Sequence, residues 1–271
     1  MRIGIYQNHP RFGEVERNID EAIQALRGVE ADLMVMPELF NTGYQFLSRK
    51  ELEELAEEVP SGKTTQALLG VSRSLGTHLV FGLAEREGAK CYNSAAVTGP
   101  QGFVGTYRKA HLFAEEKELF DPGHEGFRVF DLGRARIGLM VCFDWLFPEV
   151  ARALALLGAD ILCHPANLVL PHCQKAMVTR SLENGVYSAT ANRIGTEARG
   201  GKKPLVFTGR SQILDHRGQV LASMGEGETG VAVVEVDIEK ARDKRITEQN
   251  DRLADRRPEL YGALLEKGTR T

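Results

Sequence analysis

Three short stretches set a reactive side chain where an apolar run ends. Glu38 follows Met36-Pro37, Lys109 lies in Tyr107-Arg108-Lys109-Ala110-His111-Leu112-Phe113, and Cys142 precedes Phe143-Asp144-Trp145, with Pro148-Glu149 close behind. A thiol can attack carbon, a carboxylate can take and return a proton, and an ammonium can stabilise an oxyanion. Taken singly, each residue also has an ordinary reading: Glu38 as a charge at a helix entry, Lys109 as a solvated lysine, Cys142 as a small buried hydrophobe. Cys142 also stands one turn before an apparent helix start, where unpaired N–H groups and the helix dipole favour a thiolate. All three occupy the strand ends where α/β folds place their sites, a context that chance seldom repeats.

Elements able to position such groups are legible in the pattern. Hydrophobic alternation and turn residues predict strands over 2–6, 33–36, 78–84, 92–98, 103–107, 127–131, 135–142, 161–163, 186–191, 211–214, 219–222 and 231–236. Helical spacing predicts helices over 15–26, 49–58, 63–75, 148–157 and 174–183; in the first, Ile19, Ala22, Ile23 and Leu26 share a face. Crossovers and hairpins together imply an α/β fold with mixed sheets covered by helices. No low-complexity linker divides the chain, so residues 1–271 are read as one domain. From about residue 238 the chain is charged and weakly patterned around Asp255-Arg256-Arg257-Pro258, which suggests an arm that packs on a partner.

Composition narrows the partners. The chain has 271 residues, 42% of them hydrophobic, and its 34 Lys and Arg against 37 Asp and Glu give a formal charge of -3. No strong field draws it to nucleic acid or to an anionic membrane, and a small soluble molecule is the better partner. No apolar run approaches the roughly 20 residues that span a bilayer, and residues 1–10 lack a signal-peptide core, so a cytoplasmic location is expected. Cys91, Cys142, Cys163 and Cys173 form no C-x-x-C pair and are read as free thiols.

Other motifs are decoys. Gly225-Glu226-Gly227-Glu228-Thr229-Gly230 fits G-x-G-x-x-G but leads into a strand, and its glutamates would repel a pyrophosphate. Ser61-Gly62-Lys63-Thr64 has Glu57 where a phosphate loop needs its first glycine. Cys163-His164 and His172-Cys173 carry zinc-type ligands at a spacing that matches no common zinc module. Neither a metal nor a cofactor is expected.

The three stretches, with Glu183-Asn184 and Ala191-Asn192-Arg193 later in the chain, make the sequence similar to the nitrilase superfamily, the carbon-nitrogen hydrolases, over nearly its whole length. The resemblance implies a four-layer αββα sandwich with two mixed sheets, commonly a dimer packed through its outer helices, with higher assemblies known. It implies Glu38 as general base, Lys109 as oxyanion-stabilising cation and Cys142 as nucleophile, with the Phe143 backbone N–H as second oxyanion donor. A second glutamate follows the lysine in that family. Glu115, Glu116 and Glu118 compete for the role, and Glu116 is chosen because the run from Glu116 to Pro122-Gly123 looks most like the family's approach to its Pro-Gly turn.

The resemblance further implies hydrolysis of a small amide to acid and ammonia through a cysteine thioester. Alternatives are a nitrilase, an N-carbamoyl hydrolase, or a non-catalytic binding protein of the same fold, which would be expected to have lost a triad member. Carbamoylases of the family tend to have arginine after the nucleophile, whereas this chain has Trp145-Leu146, which favours a neutral amide or nitrile. Asn167, after another apolar strand, and Trp145 are candidate pocket residues, as is Phe147, with turn capping and core packing as their ordinary readings. Arg180, Glu183, Asn192 and Arg193 match positions that fix loops beneath the site.

Overall fold

Strand positions with apolar residues on both faces need cover on both sides, and the chain supplies it with a second sheet on one side and helices on the other. The computed structural model describes residues 1–266. One six-stranded sheet contains β1 (Arg2–Gln7), β2 (Leu33–Val35), β3 (His78–Glu87), β4 (Lys90–Gly99), β5 (Gly102–Arg108) and β14 (Gly230–Glu235), in the order β14-β1-β2-β3-β4-β5. The other contains β6 (Val129–Asp131), β7 (Arg136–Leu139), β8 (Ile161–Pro165), β9 (Tyr187–Ala191), β12 (Gln212–Leu214) and β13 (Val220–Ser223), in the order β13-β12-β9-β8-β7-β6. Along β14 to β5, neighbours pair antiparallel, parallel, parallel, antiparallel, antiparallel. Along β6 to β13 the same order of senses recurs. The two sheets are thus built alike, and the fold is the αββα sandwich of two mixed sheets.

Side chains divide by the period of two that a strand imposes. Ile3, Ile5, Leu33, Val35 and Val80 pack between the sheets with Ile137, Leu139, Ile161 and Ala189. Their neighbours Met34, Met36, Leu79, Phe81 and Leu83 face outward onto α1 (Val15–Leu26) and α3 (Lys63–Leu75), whose Val15, Ile19, Leu26, Leu68 and Val71 complete that layer. The second sheet is covered by α5 (Pro148–Leu156) and α6 (Cys173–Asn184), through Val150, Ala151, Leu154, Cys173 and Met177. The short helices α2 (Arg49–Leu55), α4 (Glu116–Leu119) and α7 (Glu239–Arg242) complete the set.

Several expected boundaries move for identifiable reasons. The helix expected over 49–58 ends at Leu55 because Glu57 pairs with β3, its N–H donating to Ala84 O and its carbonyl accepting from Arg86 N. The strand expected over 135–142 ends at Leu139, and Cys142 begins a 3-10 turn, Cys142–Leu146. The hairpin β10 (Ile194–Glu197) and β11 (Leu205–Thr208) was not anticipated; its glycine- and lysine-rich connection masked the short strands. The phosphate-loop decoy is filled from within, since Glu57 Oε2 accepts the Thr64 N–H at the start of α3 at 2.7 Å. Residues 267–271 of the expected C-terminal arm lie outside the described residues. Among the described residues no helix is long and apolar enough to cross a membrane.

Candidate active site

Glu38 lies just beyond β2, on backbone that still runs beside β3: Met36 N donates to Val80 O, Phe40 N to Gly82 O, and Gly82 N to Pro37 O. Gly82 is required there, because a Cβ would lie 2.4 Å from Glu38 Cα. The next residue, Leu39, has φ +46°. Lys109 continues β5, its N–H donating to Asn93 O on β4, while its carbonyl accepts Gly123 N. A Cβ on Gly123 would fall 2.1 Å from Arg108 O, so the Pro122-Gly123 turn closes tightly behind the lysine.

These elements bring the charges together. Lys109 Nζ donates to Glu38 Oε1 at 2.7 Å and to Glu116 Oε1 at 2.9 Å, and the three side chains are 0 to 3% exposed. Of the three glutamates weighed for the second position, Glu116 reaches the lysine; Glu115 pairs with Lys202 at 2.7 Å and Glu118 is exposed. Asn93 Nδ2 donates to Glu38 Oε1 at 2.6 Å, while Glu38 Oε2 has no partner among the described residues.

Cys142 is 6% exposed and has φ +42°. Leu39, Ala114 and Cys142 are three of the four non-glycine residues of positive φ among those described, so strained backbone flanks each reactive segment. Asp144 holds the turn: it accepts Val141 N at 2.8 Å, the Tyr107 hydroxyl at 2.9 Å and His111 Nδ1–H at 2.7 Å. The polar residues around Lys109 and those after Cys142 therefore form one clamp between the two sheets. Behind the cysteine, His164 on β8 donates Nε2–H to Cys142 O at 2.9 Å and accepts from Thr190 at Nδ1.

Burial pushes the Cys142 thiol well above its ordinary range, Glu38 adds to this, and Lys109 together with the Asn167 backbone N–H oppose it. The turn's positive end, expected to favour a thiolate, is outweighed here by loss of water. Burial also raises Glu38, with Glu116 adding to the rise against Lys109. Burial alone would lower Lys109, but Glu116 and then Glu38 more than reverse it, so the lysine stays an ammonium.

His164 gives a testable consequence. Burial lowers it from 6.5 to about 4, so between those values the unfolded chain binds a proton that the native chain does not. This contribution to stability is complete above pH 6.5 and is lost as pH falls towards 4. Urea midpoints at pH 7 and 4.5 should show wild type losing about 2 kcal/mol more than His164→Asn; equal losses would contradict the buried neutral imidazole.

Cys142 lines a small cavity with Phe113, Phe143, Trp145, Asn167 and Leu168. Phe113 also walls a neighbouring cavity of about 170 Å³ that reaches Tyr44, Phe46, Glu116 and Leu205. Asn167 is 2% exposed, and neither its Oδ1 nor its Nδ2 has a partner among the described residues. Phe147 instead stacks on the His111 ring at 3.7 Å and lines neither cavity. Arg193 pairs with Glu197, and Asn192 accepts Leu168 N, so both brace loops near the cavities. Sequence reasoning missed Tyr44, Asn93 and Asp144. A buried asparagine in an apolar strand was the available signal for Asn93.

The carbon-nitrogen hydrolase family matches residues 2–246. A protein of Pyrococcus abyssi named nitrilase is 47% identical, covering 96% of this chain and 99% of its own. The carbon-nitrogen hydrolase of Helicobacter pylori G27 superposes with TM-score 0.89 at 26% identity, over 98% of this chain and 99% of its own. A glutamate-to-glutamine variant of the Nesterenkonia sp. AN1 amidase, with acrylamide added to its active-site cysteine, gives TM-score 0.75 at 30% identity over 90% and 96% of the two chains. With its two matched sheets and the buried cluster between them, this chain belongs to the carbon-nitrogen hydrolases, the nitrilase superfamily.

Proposed function

We propose that the chain hydrolyses a small neutral amide to a carboxylic acid and ammonia, with Cys142 as nucleophile. The observation that carries this reading is a buried ammonium held between two carboxylates, beside a cavity lined by a thiol. Glu38 takes the thiol proton through its unpartnered Oε2, and the sulfur attacks the amide carbon. The oxyanion is stabilised by Lys109 and by the Phe143 backbone N–H, which at the start of a helical turn has no acceptor within that turn. Collapse expels ammonia with the proton returned from Glu38 and leaves a thioester. Water held between Glu38 and Glu116 then attacks, Glu38 again taking a proton, and the acid and the thiol are released.

The unpartnered amide of Asn167 and the ring of Trp145 orient the acyl group in the small cavity. A buried donor and acceptor left unmatched are costly, so they favour a substrate that meets them. A second reading, hydrolysis of a nitrile by the same residues, is favoured by the name of the Pyrococcus abyssi relative. The same reading takes the chain as one cytoplasmic domain that self-associates through its outer helices, where Leu156, Leu157 and Leu182 are exposed.

Released ammonia measured over a panel of aliphatic and aromatic amides, nitriles and carbamoyl compounds separates these readings. Turnover of amides is the expected result. Turnover of nitriles alone transfers the proposal to the second reading, and turnover of carbamoyl compounds alone would contradict both.

A further inference from the structure

Glu116 accepts three hydrogen bonds: from Lys109 Nζ at 2.9 Å, from the Phe113 N–H at 3.1 Å and from the Tyr44 hydroxyl at 2.5 Å. Glu38 has a free oxygen. Two carboxylates on one ammonium leave a net negative charge in a buried site, and such a pair readily takes up one proton that belongs to both. The carboxylate with more protein donors is the poorer place for that proton. Glu116 has three protein donors, whereas Glu38 has two, both on Oε1, and keeps Oε2 open.

Tyr44 is aimed from behind. Its N–H donates to Glu197 Oε2 at 3.1 Å, and that of Gln45 donates to the same oxygen at 2.6 Å. Glu197 is paired with the wholly buried Arg193, whose guanidinium lies over the Phe207 ring. The Tyr44 ring meets Phe207 edge-on at 5.9 Å. Glu197, through these backbone hydrogen bonds, fixes where the hydroxyl points, and Phe207 covers only one edge of the ring.

We propose that Tyr44 is a positioning residue for Glu116: its O–H, with Lys109 Nζ and the Phe113 N–H, holds that carboxylate in place beside the lysine and so leaves proton transfer to the Glu38 oxygen that is unpartnered among the described residues. The proposal rests on the cysteine chemistry inferred above. The charged and titratable groups facing Glu116 are Tyr44 from the loop after β2, Lys109 from the end of β5, Glu38 and the Cys142 thiol, with the Lys202–Glu115 pair at the rim of the same cavity. Burial, with Glu116 and then Glu38, pushes the Tyr44 phenol well up, which keeps it a donor.

The test is the rate at which iodoacetamide alkylates Cys142, followed by mass spectrometry across pH in wild type, Tyr44→Phe and Phe207→Leu, with melting curves to confirm folding. Tyr44→Phe keeps the ring and removes one of the three donors to Glu116, so the carboxylate pair takes its extra proton at higher pH. The acid limb of the profile should move up by about one pH unit. Phe207→Leu loosens the ring's packing, keeps the hydroxyl and should leave the limb in place. A Tyr44→Phe profile that is only scaled, or an equal shift in Phe207→Leu, overturns the proposal. Wild-type protein that is not alkylated at Cys142 at any pH overturns the nucleophile itself, a result read without either variant.

Discussion

Cys142→Ala is expected to fold and to release no measurable ammonia from any compound that the wild type hydrolyses. Alanine keeps the Cβ, so the strained φ of +42° is carried as before, and only a sulfur at the edge of a small cavity is lost. The melting temperature should therefore change little. Turnover should fall on the order of 10⁴-fold or more, as when the nucleophile is removed from other covalent hydrolases. Cys142→Ser tests the same step more finely. Its hydroxyl is a far weaker acid than a thiol, in a site where burial already holds the thiol protonated, so serine should restore almost nothing. Ammonia release by Cys142→Ala above about a thousandth of the wild-type rate would remove the sulfur from the mechanism.

The candidate stretches that the fold brings together were legible in the sequence because each ends an apolar run and carries its own punctuation: Pro37 before Glu38, Pro122-Gly123 after the lysine segment, Pro148 after the cysteine. The sheet pattern was legible for the same reason, since buried strands such as 33–35 and 161–165 are short apolar runs. What escaped depends on burial and on distant partners. The turn at Cys142 is a local feature and marked the sulfur as a candidate, whereas the upward push on the thiol comes from loss of water and from Glu38, more than a hundred residues earlier. Tyr44 escaped because nothing in Thr42-Gly43-Tyr44-Gln45 marks a partner of Glu116, 72 residues away. Asp144 stood inside a quoted stretch, but its role is visible only once Tyr107 and His111 are seen to meet it from the other sheet.

Lys109→Met should damage both folding and catalysis, and the pH dependence of each identifies the cause. Methionine matches the length of the lysine stem but leaves Glu38 and Glu116 facing each other without a counter-ion, where the native side chains are 0 to 3% exposed. Breaking a buried ion pair from one side costs about 3 to 5 kcal/mol. The remaining pair can relieve that cost by binding a proton, so Glu38, already raised by burial, rises further above its unfolded value. A carboxyl group of that kind contributes stability that is present at low pH and lost as pH rises, so the deficit relative to wild type should shrink between pH 7.5 and 5 in urea titrations. Turnover should fall by about 10²- to 10³-fold from loss of one oxyanion donor alone, at whatever pH the variant is folded. Stability equal to wild type at pH 7.5, with turnover within tenfold, would mean that this ammonium neither holds the carboxylates together nor stabilises the reacting oxygen.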